Sequence, residues 1–169
     1  MNTFFIADLH FSDMNIIRYE NRPFCSVTQM NKTLIRNWNS VVTQKDIVYV
    51  LGDFGAEKEE SILLSELFGK KYLVKGNHDT NTNEYYRKAG FSEVYDMPVI
   101  YQQFWILSYE PLYINVNMPY ANLFGHIHQS PLFKDYSRHH FCVSAERIDY
   151  TPVTMEEIRK KISQTKSKC

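Results

Sequence analysis

Residues 71–79 read KYLVKGNHD, a short apolar run followed directly by glycine and polar residues. The apolar part lacks the alternation of a half-buried strand, which predicts a strand buried on both faces. Two similar runs, at residues 3–7 and 47–51, are followed by Asp8 and, after one glycine, by Asp53. The three runs therefore predict the centre of one sheet, with polar side chains where each strand ends.

Helical periodicity separates these runs. Between the first two, apolar residues recur with helical spacing at Val27, Met30, Leu34, Trp38 and Val41. Ser26 and Gln29 are placed to form a capping box at the start of that helix. A second helix is predicted over residues 57–68, before Gly69, which can supply a left-handed C-terminal residue. The alternation of strands with helices predicts parallel pairing.

The second half of the chain is predicted to be rich in strands. A helix over residues 80–89 is followed by strands, and Thr154 with Glu157 can cap a final helix. The predicted strands cover residues 94–101, 104–109, 121–125 and 140–144. With 169 residues and 44% hydrophobic content, we expect one domain over residues 1–169, with residues 163–169 as a frayed tail.

The charge balance limits the choice of partners. Lysine plus arginine equals aspartate plus glutamate at 19 each, which predicts neither stable nucleic-acid binding nor docking on an anionic membrane. The apolar run at residues 3–7 is too short for a signal-peptide core, and no transmembrane span is predicted. The cysteines, Cys25, Cys142 and Cys169, are widely spaced, which favours reduced thiols and a cytoplasmic location. The oligomeric state stays open.

Metal-ligand residue types cluster after the predicted strands. Asp8 and His10 are two residues apart, as are His126 and His128, and in extended chain that spacing places both side chains on one side. Gly52, Gly76 and Gly125 each precede a candidate ligand, where a missing Cβ permits close backbone approach. Oxygen and imidazole donors from separate segments suit two divalent ions held side by side.

Together, Asp8-Leu9-His10, Gly52-Asp53, Gly76-Asn77-His78-Asp79 and Gly125-His126-Ile127-His128 resemble the motifs of the calcineurin-like metallophosphoesterase family. The resemblance covers about residues 3–145 and is greatest to small single-domain bacterial and phage members. It implies an α/β fold, a four-layer αββα sandwich of two mixed sheets flanked by helices. It also implies a ligand set: Asp8, His10 and His128 for the first metal, Asp53 bridging, and Asn77 and His126 for the second.

One family ligand is replaced in this chain. The family carries a histidine in a segment resembling L-S-H-x-P-L, and here residues 107–112 read LSYEPL, with Tyr109 at that position. A phenol must lose a proton before it can bind metal, whereas neutral imidazole is ready at pH 7. Three alternatives stay open: a weakened but functional second site, compensation by another ligand or by water, and loss of dinuclear catalysis. His139 and His140 are the unassigned imidazoles.

The resemblance implies hydrolysis of a small phosphoester, either a diester or a monoester, by a hydroxide that bridges two metal ions. Mn is the first expectation for the metal, with Fe or Zn next. His78 would be the catalytic acid, with Asp79 orienting its ring or capping the following helix, and Asn77 would also contact substrate. Arg22 or Arg18 could bind the phosphate, unless both are ordinary surface arginines. The runner-up is a degenerate scaffold that acts as a protein-interaction module.

Overall fold

The structure, a computed structural model, describes residues 1–55, 60–115, 117–131, 136–137 and 139–165. The helices in these ranges are α1 (Met14–Tyr19), α2 (Val27–Val41), α3 (Glu60–Glu66), α4 (Asn83–Ala89) and α5 (Met155–Thr165), with a 3-10 helix at Ala145–Ile148. The strands are β1 (Thr3–Ile6), β2 (Ile47–Leu51), β3 (Lys70–Val74), β4 (Glu93–Tyr95), β5 (Val99–Tyr101), β6 (Trp105–Leu107), β7 (Ala121–Phe124), β8 (Tyr136–Ser137), β9 (His140–Cys142) and β10 (Val153–Thr154).

The first sheet has the strand order β10-β1-β2-β3-β4. Strands β1 to β4 are parallel, and β10 pairs antiparallel with β1. The register sets Phe4 opposite Val48 and Phe5 opposite Tyr49, so side chains of like position share a face. The parallel pairing predicted from the three apolar runs is confirmed. The carboxyl ends of β1, β2 and β3 therefore lie at the same end of the sheet.

The second sheet has the order β5-β6-β7-β9-β8 and is also mixed. Strand β7 is parallel to β6 and β9, whereas β5 and β8 pair antiparallel at the two edges. The predicted single strand over residues 94–101 is wrong, because β4 belongs to the first sheet and β5 to the second. Pro98 lies between them and lacks the N–H that a continuous strand would donate.

Aromatic residues join the two sheets face to face. The Phe5 ring on β1 lies 5.4 Å from the Tyr101 ring on β5, and Tyr49 on β2 lies 5.7 Å from the same Tyr101 ring. Helix α2 buries Met30, Leu34 and Trp38. Two mixed sheets flanked by helices form the αββα sandwich that the resemblance implies.

The helix boundaries partly agree with the sequence patterns. The Ser26 hydroxyl accepts the Gln29 N–H, and the Gln29 side chain reaches the N–H of Cys25, one residue beyond the expected capping-box partner. Thr154 and Glu157 do form the reciprocal capping contacts predicted for α5. The predicted start of α3 falls at residues 56–59, outside the described residues.

Two helix ends differ from expectation. Helix α4 begins after Thr82, whose side chain caps the Tyr85 N–H, so the predicted start at residue 80 is wrong and Asp79 is not the cap. Helix α5 continues to Thr165, within the segment predicted as a frayed tail, and residues 166–169 lie outside the described part. No described helix combines the length and apolar character that crossing a membrane requires.

The two sheets come together at the edge where the polar motifs lie. Just beyond β1, the Ala7 N–H donates to the Val143 carbonyl at 2.9 Å, and the Ala145 N–H donates to the Ala7 carbonyl at 3.0 Å. The chain after β1 therefore runs beside the chain after β9. This junction positions Asp8 next to the second sheet.

Candidate metal centre

Five of the candidate ligands have a left-handed backbone conformation. The positive φ angles are 56° at Asp8, 49° at His10, 52° at Asp53, 68° at His126 and 44° at His128. The expectation that the paired ligands share a side because the chain is extended is therefore wrong. Non-glycine residues rarely adopt this conformation, and such strain concentrates at functional sites. The turns at these residues lie where the strands of both sheets end, and they set the direction of each side chain.

Three of these side chains converge. Asp8, His10 and His128 each bring one donor atom within 4.8 Å of the others. The Asp53 Oδ2 atom lies 3.5 Å from Nε2 of His10, so it borders the same cluster. In the described part of the chain, Nε2 of His10 is buried and has no hydrogen-bond partner. A buried imidazole nitrogen that faces carboxylates without a partner has the arrangement of a metal ligand.

The charge states of this cluster fit a divalent cation. Burial raises the pKa of Asp8 to about 7, because an isolated buried carboxylate is costly. Burial lowers the pKa of His10 to about 3, so its imidazole is neutral and ready to donate a lone pair. A cation would offset the cost of burying the carboxylates. Asp8, His10, His128 and Asp53 therefore fit one such ion.

Backbone N–H groups hold the two carboxylates in place. The His126 N–H donates to Oδ1 and Oδ2 of Asp8 at 3.0 and 2.9 Å. The His78 N–H donates to Oδ1 of Asp53 at 2.9 Å. Each motif is thus fastened to another motif from a distant part of the sequence, which restricts how far the cluster can distort.

Asp79 ties two motif loops together. Its carboxylate accepts the N–H groups of Asp53 at 2.7 Å, Gly76 at 2.9 Å and Phe54 at 3.1 Å. Burial raises the pKa of Asp79 to about 6. Both carboxylate oxygens are therefore used on the backbone, rather than on the His78 ring that Asp79 was expected to orient. Asp79 instead positions the turn that carries Asp53.

Arg22 has a different environment from the one expected of a phosphate-binding residue. It is only 4% exposed, and its guanidinium donates to Oε1 of Glu146 and to the carbonyls of Asp8 and Leu9. The buried guanidinium therefore supports the turn at Asp8 and Leu9, rather than facing solvent as expected of a phosphate-binding arginine. Arg18, in contrast, is exposed on α1. Of the two arginines, Arg18 is the one whose side chain faces solvent.

Glu146 is a functional candidate that the motifs missed. Its buried Oε1 lies 2.6 Å from Nη2 of Arg22 and 3.0 Å from Nδ1 of His128. Burial opposes its ionisation, but the His128 hydrogen bond and the Arg22 charge lower the pKa of Glu146. The contact through Nδ1 leaves Nε2 of His128 as the nitrogen available to a metal. The available signal was a glutamate two residues after the predicted strand over residues 140–144.

The remaining candidate ligands surround Tyr109. The Tyr109 hydroxyl donates to Oδ2 of Asp53 at 2.6 Å, contacts Oδ1 of Asn77, and lies 2.6 Å from Nδ1 of His126. Burial, then the Asp53 hydrogen bond, raise the pKa of Tyr109 far above its ordinary value near 10. His139 and His140 contact the backbone carbonyls of Tyr120 and Leu112. Neither of these contacts lies in the Tyr109 cluster.

His78 lies at the open side of the first cluster. It is exposed, and its ring centroid is 5.1 Å from that of His10. The centroid of the His128 ring is 5.3 Å from that of His10. His78 is therefore near the candidate metal ligands while its ring can reach an external molecule.

Comparison with known proteins identifies the family. Residues 1–162 match the family model for calcineurin-like phosphoesterases. The chain belongs to this family. It is 36% identical over 171 residues to an uncharacterized protein of Methanocaldococcus jannaschii, covering 96% of this chain and 92% of that one. It is 32% identical over 83 residues to the gene 66 protein of Mycobacterium phage L5, covering 46% of this chain and 40% of the phage protein.

Two solved structures resemble the fold. A protein of unknown function from Aquifex aeolicus has a TM-score of 0.70 and 26% identity, over 95% of this chain and 99% of that one. The nuclease MPE of Pseudomonas putida has a TM-score of 0.53 and 20% identity, over 75% of this chain and 61% of the nuclease. At this level of identity, the nuclease supports only a similarity between its fold and the fold of this chain.

Proposed function

We propose that this protein hydrolyses the phosphoester bond of a small substrate with the help of a bound divalent metal ion. The observation that carries the proposal is the convergence of Asp8, His10 and His128 on one point, next to a His10 nitrogen that has no partner in the described residues. When bound, a divalent ion supplies a nucleophile from water and neutralises phosphoryl charge. Mn is the first candidate, with Fe or Zn next, because mixed carboxylate and imidazole donors suit each of them.

The exposed side chains at the site would divide the remaining work. His78 is near His10 and reaches solvent, so its imidazole can donate a proton to the leaving oxygen. Asn77 is also exposed and precedes it, so its amide can contact a phosphoryl oxygen. Arg18 is the remaining candidate for a bidentate phosphate contact. The proposed substrate is a diester or monoester in the cytoplasm, without a nucleic-acid or membrane partner.

The test is hydrolysis of an aryl phosphodiester and an aryl phosphomonoester by metal-depleted protein, before and after addition of Mn, Fe or Zn. We expect activity that requires metal and falls about 100-fold or more in His78→Ala, since general acid catalysis contributes about that much. A matched control is His139→Ala, because the His139 ring contacts the Tyr120 carbonyl and is not among the candidate ligands. Metal-loaded protein without turnover on either substrate would refute the proposal.

The competing proposal is a phosphoesterase scaffold that serves as a protein-interaction module. The position of Tyr109 among candidate ligands favours it, because a phenol replaces an expected imidazole. The exposed His78 beside the Asp8, His10 and His128 cluster favours hydrolysis. Metal-dependent turnover that His78→Ala reduces would exclude the scaffold as the sole function.

A further inference from the structure

Three candidate ligand atoms, one of which also borders the first cluster, point at a single atom. They are Oδ2 of Asp53, Oδ1 of Asn77 and Nδ1 of His126, which follow β2, β3 and β7 respectively. Their common neighbour is the hydroxyl oxygen of Tyr109, which is 2.6 Å from both the Asp53 and the His126 atoms. Carboxylate, amide and imidazole donors of this kind ordinarily surround a cation. Here they surround an oxygen that is covalently part of the chain.

The Tyr109 ring packs directly against the backbone of two glycines. A Cβ added at Gly52 would lie 2.2 Å from Cδ2 of Tyr109, and one added at Gly76 would lie 2.8 Å from Cε2. The His126 ring packs at a centroid distance of 4.6 Å, and Tyr109 is 8% exposed. The Gly125 N–H donates to the Tyr109 carbonyl at 2.9 Å. The close packing therefore leaves the hydroxyl little freedom to move away from the three donors.

The distances are too short for Tyr109 to be one ligand among four. Two ligands of the same tetrahedral or octahedral ion, each about 2.1 Å from it, are separated by about 3.0 to 3.4 Å. The Tyr109 oxygen approaches Asp53 and His126 to 2.6 Å, which is a hydrogen-bond distance. The oxygen thus lies among the donors, where an ion would have to be. Asp53, Asn77, His126 and Tyr109 do not fit a second ion.

We propose that the Tyr109 hydroxyl replaces the second metal ion, so that each chain holds one divalent cation at Asp8, His10, His128 and Asp53. The hydroxyl, which has a single proton, donates it to Asp53, lies at hydrogen-bond distance from Nδ1 of His126, and contacts Oδ1 of Asn77. The inference rests on the proposed metal-dependent function for its relevance to catalysis, but it concerns the number of bound ions. It selects loss of the dinuclear site from the alternatives that the sequence leaves open for Tyr109.

The test is the Mn content of metal-depleted protein after equilibration with excess Mn and removal of unbound metal. We expect about one Mn per wild-type chain, with an uncoupled electron paramagnetic resonance spectrum, because neighbouring ions that share a carboxylate would couple. Tyr109→His or Tyr109→Ala should raise the content to about two. Tyr113→His is the matched control, since Tyr113 is 90% exposed, and its content should stay at the wild-type value.

The His126→Ala variant further distinguishes a chain with one ion from a chain with two. If Tyr109 replaces the second ion, His126→Ala keeps the single Mn, whereas a dinuclear site would lose about half of its metal. Two coupled ions in the wild-type chain would overturn the inference. It would also be overturned if neither Tyr109 variant gained an ion, or if His126→Ala lost the single one.

The readouts distinguish this inference from the proposed function. One bound Mn without turnover would refute hydrolysis and leave the ion count intact. Turnover with two coupled ions would support hydrolysis and overturn the inference. A wild-type chain that bound no Mn, Fe or Zn would overturn both.

Discussion

The buried residue Glu146 orients the candidate ligand His128 through a hydrogen bond, without being a candidate ligand itself. Its carboxylate connects the guanidinium of Arg22 with Nδ1 of His128, and Arg22 in turn holds the carbonyls of Asp8 and Leu9. Glu146 therefore orients one candidate ligand directly and supports the turn of another through Arg22. A carboxylate behind a metal-bound histidine fixes both the orientation and the proton of the ring.

We predict that Glu146→Gln weakens metal binding by about 10- to 100-fold, because His128 loses its charged partner. The free energy of unfolding should fall by about 3 kcal/mol or more, since the Arg22 charge stays buried without its counter-charge. Mn titration and chemical denaturation measure the two effects. Glu156→Gln, at an exposed position of α5, is the control. Wild-type Mn affinity in Glu146→Gln would show that His128 needs no such support.

The left-handed turns allow a test with glycine. At His126, where φ is 68°, we predict that the glycine variant is more stable than the alanine variant by about 1 kcal/mol, because glycine adopts this φ without steric cost. Both variants lose the imidazole, so their difference isolates the backbone. Thermal or chemical unfolding gives the comparison.

His78 provides the matched position, since it is exposed and is not among the residues with positive φ. There the order should reverse, with alanine at least as stable as glycine, because glycine loses more conformational entropy on folding. Equal preference for alanine at both positions would contradict the strain assigned to the turn at His126.

For individual residues, the sequence predicted which side chains form the cluster but not the backbone conformation that brings them together. The family resemblance implied Asp8, His10 and His128 as the ligands of one metal, and their donor atoms do meet within 4.8 Å. The left-handed backbone was not predicted, because such angles at non-glycine residues depend on tertiary contacts. The role of Arg22 was also not predictable, because its partner Glu146 lies 124 residues away in sequence.

Among the connections between elements, the turn from α2 to β2 depends on Asp46. This buried carboxylate accepts the N–H of Asn2 at 2.6 Å and both the N–H and the hydroxyl of Thr43. The backbone hydrogen bond from Asn2, followed by the Thr43 contacts, lowers the pKa of Asp46 to about 2. The ionised form therefore joins the chain before β1 to the end of α2.

Because the pKa is lowered on folding, Asp46 stabilises the fold above about pH 4, the ordinary range of an aspartate, and loses this effect as the pH falls toward 2. We predict that Asp46→Asn costs about 1 kcal/mol at pH 7, after allowance for solvent screening, and progressively less below pH 4. Denaturation of wild type and variant at several pH values measures the difference. Lys45→Gln, an exposed neighbour, is the control. A difference that did not vary with pH would contradict the prediction.

Element prediction succeeded where local pattern and burial agree. The apolar runs at residues 3–7, 47–51 and 71–75 became β1, β2 and β3, and the last two residues of each strand are buried, although the first three residues of β3 are exposed or half-buried. Helix α1 was not predicted, since it spans only Met14–Tyr19 and depends on the Asp13 cap. The short β10 was missed for a similar reason, because its two residues are defined by pairing with β1.

For the whole molecule, metal should act as a stabilising ligand. We predict that Mn at about 100 times its dissociation constant adds about 2.7 kcal/mol, which corresponds to a rise of about 5 to 10 °C in Tm for a chain of this length. A chelator should remove the shift, because the buried Asp8 carboxylate then loses the charge that offsets its burial. Calorimetry with and without Mn is the measurement.

Two variants test this prediction, and for each one the rise in Tm on addition of Mn is compared, rather than the absolute Tm. His10→Ala should abolish the Mn-dependent shift, since it removes the buried nitrogen that faces the cluster. His78→Ala should keep the shift, because the exposed His78 ring lies beside the cluster of Asp8, His10 and His128 and is not one of its donors. An unchanged shift in His10→Ala would argue that the metal binds elsewhere.

The junction of the two sheets also has a consequence for how the site is made. Asp8 is fastened to the N–H of His126, 118 residues later, and Ala7 pairs with the segment around Ser144. Contacts of such long sequence separation form late in folding. A chain emerging from the ribosome therefore cannot assemble the Asp8, His10 and His128 cluster until the segment from His126 to Ser144 has been synthesised. Metal binding at this cluster therefore has to follow the synthesis of both segments.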